Sequence, residues 1–133
     1  MFESLDFVYL PAPDIESCVD YYKNTLGGKL SWKIHAYGVW VACIVLSEEE
    51  PYILLANHLE KNDIVLIYNV SNLEKTVFQL RSKGWEEEKR LDIPPGPCCT
   101  FRDPANNHIA IYEKLRPNIM KEFEGRIDVK ENE

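Results

Sequence analysis

The side chains best suited to chemistry gather toward the C-terminal part of the sequence. Cys98 and Cys99 are adjacent, and His108 follows them. A nucleophilic thiol needs a lowered pKa and a base beside it. On the adjoining predicted strand, His108 is the only base available for that role. Its other reading is plainer, a hydrogen bond to a backbone group near its own hairpin. Asp103 precedes Pro104 and suits the capping of a turn. The runs Glu48–Glu50 and Glu86–Glu88 supply carboxylates, but acid–base work requires two of them to face one reacting group. Both runs read as solvated strand-end surface. His58 falls in the predicted loop NHLEKND, away from His108. One histidine without carboxylates around it does not make a metal centre. Trp32 and Trp40 offer a different capability, stacking on a flat ligand, since such rings combine large area with one polar handle. They are equally suited to a core or a subunit interface. Trp85, just after a helix stop, reads as a packing residue.

The elements that must position these residues repeat. FVYLPA (7–12) is a strand ended by prolines, and Asp14 can cap the helix that follows. Ile15, Val19, Tyr22 and Leu26 recur at helical spacing, with Cys18 beside them, and Gly27–Gly28 stops the helix. Three apolar, β-branched or aromatic stretches follow near 29–35, 38–46 and 51–56, broken by AYG and SEEEP. The order then restarts. DIVLIYNV (63–70) is a strand, Ser71 to Glu74 form a capping box, and Leu73, Val77 and Leu80 make an apolar stripe closed by Gly84. Strands are predicted near 85–90, 96–102 and 107–113. Placing Asn72 on Asp14 superposes Ile15 on Leu73, Glu16 on Glu74, Val19 on Val77 and Tyr22 on Leu80. Two βαβββ units in tandem follow from that repeat. In the mostly polar tail from Leu115, Asn118 to Glu124 are expected to add a helical turn or two after Pro117, with DVKENE expected to fray.

Composition narrows the partners. The 133 residues suffice for one domain, here read as 1–133, with modules at about 5–58 and 62–113 and a tail at 114–133. The net charge of −7 and the lack of any Lys/Arg cluster argue against nucleic acid. No apolar run reaches the roughly 20 residues of a bilayer span, and MFESLDFVYL lacks the basic start of a signal peptide. A cytoplasmic location without membrane association, and four reduced cysteines, are the expectation.

Two motifs then carry a resemblance. VYLPAPDIESCVDYYKNTLGG has an acidic helix cap, paired aromatics and a Leu-Gly-Gly stop, and FRDPANNHI has an aromatic-x-Asp-Pro-x-x-Asn turn with Asn106 where glycine is usual. Together with the tandem repeat they resemble the vicinal oxygen chelate superfamily, which includes glyoxalase I, extradiol dioxygenases and the bleomycin resistance proteins. The resemblance covers residues 5 to 113. It implies an α+β fold in which two βαβββ modules curl into one U-shaped, half-open barrel. It also implies a ligand in the cup, helices outside, and frequent pairing of two chains.

Metal-binding members carry one ligand on the first and one on the fourth strand of each module. By the resemblance those positions are Phe7, Leu54, Val65 and Ala110, all apolar. A slip of one residue turns a strand over, yet it offers only Asp6 at the first position and apolar residues at the others. No metal and no cofactor are therefore expected. Strand alternation places Phe7, Tyr9, Leu54, Val65, Ile67, Asn69, His108, Ala110 and Tyr112 toward the cup, with Trp32 and Trp40 as further lining. Val8, Leu10, Ile64, Leu66, Ile109 and Ile111 would then pack under the helices.

The expected function is a metal-free binding module of the bleomycin-resistance type, holding an aromatic or amphipathic small molecule as a homodimer. Against drug capture of that type, no carboxylate is assigned to the cup. The alternatives are a glyoxalase-like lyase or isomerase or a dioxygenase-related enzyme, with Tyr9, His108 or Tyr112 as acid–base groups, and a structural or regulatory dimer with a collapsed cup.

Overall fold

Both predicted helices are capped by a side chain in the computed structural model, which describes residues 1–129. The Asp14 carboxylate accepts from the Ser17 amide at 3.2 Å, and the Asn72 side chain accepts from the Lys75 amide at 2.9 Å. The second cap is thus Asn72 rather than Ser71, and a Glu113 oxygen accepts from the Leu73 amide at 2.7 Å. That carboxylate satisfies a helix-end donor a capping box would leave to water. The helices are α1 (Ile15–Asp20), which continues as a wider π turn through Tyr21–Thr25, and α2 (Leu73–Arg81). Gly27, at φ 76°, takes the left-handed conformation that ends the first of them.

Eight strands complete the two units: β1 (Phe2–Pro11), β2 (Lys29–Ala36), β3 (Val39–Val45), β4 (Tyr52–Ala56), β5 (Val65–Val70), β6 (Lys89–Ile93), β7 (Gly96–Arg102) and β8 (His108–Glu113). They form one mixed sheet in the order β2-β3-β4-β1-β5-β8-β7-β6. β1 runs parallel to β4 and β5 parallel to β8, while β1 and β5 join the halves antiparallel. The sixth strand lies later than the sequence suggests. Trp85 precedes it and packs edge-on against Phe101 at 5.3 Å instead of opening a strand.

The sheet has a core on each side. Phe7, Trp32, Leu54, Val65, Ile67, Cys98, Ala110 and Tyr112 pack together on the concave face. On the convex face, Ile15 and Val19 of α1 pack on Ala12, Ala42, Ile44 and Leu55, and Leu73 and Val77 of α2 pack on Val70, Cys99 and Ile111. Leu10 and Ile109 pack beside these clusters. Val8 and Leu66, paired across the β1–β5 seam, are only half-buried, and Ile64 is exposed. The seam runs between the two helices, so neither covers it fully.

The tail departs most from expectation. α3 (Ile119–Phe123) crosses the concave side, and the chain beyond it joins the edge of β2. Asp128, expected to fray, is held there; residues 130–133 lie outside the described residues. Gly96 fixes the near side of this path, because a Cβ there would sit 1.8 Å from the Glu113 carbonyl oxygen.

Candidate functional site

The concave face, roofed in part by α3, encloses a cleft of about 610 Å³. Phe7, Tyr9, Leu54 and Ile67 form its floor from the central strands, and Trp32, Ile34, Val39 and Val41 form one wall. Ile93, Pro94 and Pro95 come from the β6–β7 hairpin opposite, and Ile119, Met120 and Phe123 come from the tail. Phe123 meets Trp32 edge-on at 5.4 Å. Polar groups are few. Asp92 and Arg116 pair at 2.5 Å at one margin, and Arg126 lies at another. Burial pushes the Tyr9 phenol up to about 12, so it stays protonated at neutral pH.

Of the expected cup residues, Phe7, Tyr9, Trp32, Leu54 and Ile67 line this cleft. Val65, Ala110 and Tyr112 belong to the buried cluster around it. Asn69 shares a rung with Tyr112 on the β5–β8 pair, away from the cleft. Trp40 is a correction: it lies on the convex face beneath α1, stacked on His35 at 4.5 Å, with the Lys33 ammonium 5.5 Å from its ring. The cause is the tight turn at Tyr37–Gly38. It pairs Ala36 with Val39, so even-numbered residues of β2 share a face with odd-numbered residues of β3. Trp32 therefore faces inward with Cys43 and Val41, and Trp40 faces outward with Lys33.

His108 is a second correction. Its Nδ1 lies 3.2 and 3.3 Å from the two Asp63 oxygens, so its partner is a carboxylate and not a backbone group. Nε2 lies 3.0 Å from a Glu88 oxygen but out of line for a hydrogen bond. Arg102 joins both carboxylates, and its bond to Glu88 holds that carboxyl below its ordinary range. The cluster ties the start of β8 to the chain before β5 and β6. It lies at the end of the strand, outside the cleft.

The thiol–imidazole pair does not form. Cys98 stands opposite Tyr112 and His108 opposite Arg102. Four residues of strand separate the two rungs, about 13 Å. Burial raises Cys98 to about 12 and Cys99 to about 11, leaving neither as a thiolate at neutral pH. Asp103 does cap its turn, accepting from the amides of Ala105 and Asn107 at 2.9 and 2.8 Å. Asn106 takes φ 68° where the resemblance has glycine.

One buried polar group escaped sequence reasoning. Asp6 is 1% exposed, accepts from Ser4 Oγ at 2.5 Å, and takes the Tyr112 hydroxyl in a short bond. Lys114 Nζ lies 3.7 Å away. A slip in register between Leu5 and Phe7 turns Asp6 inward beside Phe7. Alternation alone misses such an irregularity.

The four positions that the resemblance assigns to metal ligands converge in the concave cluster. Phe7, Leu54, Val65 and Ala110 are all at least nine-tenths buried and touch hydrocarbon. Their side chains offer no lone pair, so they do not suit a metal of the family type. Among the described residues, no three His, Cys, Asp or Glu side chains gather elsewhere in a way that would hold an ion.

The fold has close counterparts among solved structures. Methylmalonyl-CoA epimerase from Mycobacterium tuberculosis aligns with a TM-score of 0.72 at 19% identity, over 87% of this chain and 91% of that one. Streptomyces coelicolor methylmalonyl-CoA epimerase, in complex with 2-nitronate-propionyl-CoA, aligns at 0.70 and 12%, over 87% and 97%. A hypothetical protein from Bacillus halodurans C-125 aligns at 0.69 and 16%, over 97% and 98%. At these identities the likeness is one of fold. No curated protein matches by sequence. A sequence model of the Glyoxalase/Bleomycin resistance protein/Dioxygenase superfamily matches residues 4–111, most of the chain, and the protein belongs to that superfamily.

Proposed function

We propose that this protein binds a small aromatic or amphipathic molecule in the concave cleft, without a metal and without chemistry on the ligand. One observation carries the reading. Apolar residues occupy all four positions where metal-dependent relatives place ligands, and they border an aromatic-walled cleft of about 610 Å³. That size and lining are those of a small-molecule site, typically about 300–1,000 Å³ and mostly apolar. The volume speaks against a cup collapsed on its own side chains.

Among the described residues lining the cleft, none offers the enzyme reading a free base. The Tyr9 phenol is raised by burial, and Tyr112 is held protonated by burial and by its bond to Asp6. His108 lies outside the cleft lining. Asp92, the carboxylate at the margin, is already paired with Arg116. The epimerases of similar fold act on or bind CoA esters by name. CoA esters therefore belong in any ligand panel.

A homodimer in the cytoplasm completes the proposal. The half-covered Val8–Leu66 strip between the helices supports pairing, since an apolar strip of this kind gains by being covered. No helix among the described residues is long and apolar enough to cross a membrane. Light scattering at micromolar concentration would return the mass of two chains.

The test of function is a thermal-shift screen of chelator-treated protein. One panel holds divalent metals and the other holds aromatic, amphipathic and CoA-ester compounds. A compound at 100 times its Kd should stabilise the fold by about 2.7 kcal/mol. Stabilisation by an organic compound and by no metal is expected. Stabilisation by Zn²⁺, Ni²⁺ or Mn²⁺ that a chelator reverses would overturn the proposal.

A further inference from the structure

The tail spans the mouth of the cleft from one edge of the curled sheet to the other. At its start the Arg116 amide bonds to the Pro95 carbonyl at 2.9 Å. Its guanidinium bonds to the Pro94 and Ile93 carbonyls at 2.7 and 2.8 Å and to Asp92. At its far end the Gly125 amide bonds to Ser31 at 2.7 Å. The Lys33 amide bonds to Arg126, and the Asp128 amide to Lys33, both at 2.8 Å. The Asp128 carboxylate accepts from the His35 amide at 2.9 Å. Between these anchors, α3 turns Met120 and Phe123 into the cleft.

The two anchors are unequal. The first grips a hairpin with a five-donor guanidinium, beside the close approach at Gly96. The second lies along the outer edge of β2, and its side chains Ile127 and Val129 are 44% and 79% exposed. An edge contact whose side chains remain this exposed belongs to the low-stability end of a fold. The bridge between them is a five-residue helix with no side-chain cap, too short to hold its shape alone. Gly125, at φ 84°, begins the clamp directly after the helix. A ligand that fills this cleft lies beneath the tail and against Met120 and Phe123, because a bound molecule buries most of its surface.

We propose that residues 116–128 are the gate of the cleft, and that ligand is admitted when the Gly125–Asp128 clamp lets go of β2 while the Arg116 anchor holds. The proposal rests on the binding reading above, and its test separates the two.

The probe is 1-anilinonaphthalene-8-sulfonate, an aromatic amphipathic dye, mixed with the full chain in a stopped-flow fluorimeter. Two variants open the clamp without altering floor or walls. Asp128→Ala removes the bond to His35 and the contacts with Arg126. Gly125→Pro removes an amide donor and forbids the positive φ. Amide hydrogen exchange at Lys33 and His35 reports whether the clamp has opened. In the native protein the observed binding rate should level off as dye concentration rises, because opening limits it. Both variants should raise that plateau at least fivefold, with faster exchange at the two amides. Faster exchange with an unchanged binding rate would overturn the gate and leave the binding site standing. Failure of the dye to bind native protein and variants alike would remove the site, and the gate with it.

Discussion

Tyr112 and Asp6 form a buried pair that is costly to break. Both are essentially fully buried, and a carboxylate in that position depends on its donors. Tyr112→Phe should destabilise the fold by about 2 kcal/mol, the range for a hydrogen bond to a charged group. A double-mutant cycle with Asp6→Asn, read by urea denaturation, should return a coupling above about 1 kcal/mol; additive effects would show the bond to be unimportant. Glu50 carries a separate prediction. Burial first, and then the Asp6 charge, raise its carboxyl above the ordinary value, with Lys114 opposing. The folded state therefore disfavours ionised Glu50, a cost present at neutral pH and absent once the group is protonated in both states. Glu50→Gln should raise Tm slightly at pH 7 and leave it unchanged near pH 3. Little of this was legible beforehand. A one-residue slip at Phe7 identifies Asp6 as the only polar alternative, but only the irregular pairing of β1 shows that both residues can turn inward.

Among elements, the helices were the most legible and the tail the least. Asp14 announces the first helix because a short acceptor before an apolar stripe has a local job, and the second is announced by its stripe, although its cap is Asn72 and not Ser71. Asn72→Ala should cost about 1 kcal/mol, measured by thermal or urea unfolding. The tail has no such local signal. Met120 and Phe123 stand in a polar stretch with no periodicity, and their partners lie on β2 and the β6–β7 hairpin, far away in sequence. Trp40 failed for a related reason: its face depends on how many residues make the turn at Tyr37–Gly38. The tail's clamp also has a defined pH range. The Arg126 guanidinium, and then the His35 amide, hold Asp128 down to about 2. A carboxyl lowered in the folded state contributes above its ordinary range and loses that contribution as pH falls through the folded value. With Arg126 and His35 as the charged neighbours, the His35 amide should stay protected from exchange at pH 4 and lose protection near pH 2. Loss of protection by pH 5 would contradict this.

At the scale of the whole molecule, both βαβββ units contribute to the cleft. The antiparallel β1–β5 seam unites them in a single eight-stranded sheet, and residues of each line the cavity. The repeat made that architecture readable, since two units of equal pattern each leave one sheet face to bury. Which units share a cup was not readable, because it is decided by pairing across the seam. Methyl-resolved NMR during titration with 1-anilinonaphthalene-8-sulfonate reports which face of the sheet takes the ligand. Saturable shifts are expected at Ile34, Val41, Leu54, Ile67 and Met120, with Leu73 and Val77 of α2 unmoved. Shifts confined to the convex face or the Val8–Leu66 strip, or no saturable shifts at all, would contradict the claim that the concave cleft is a binding site.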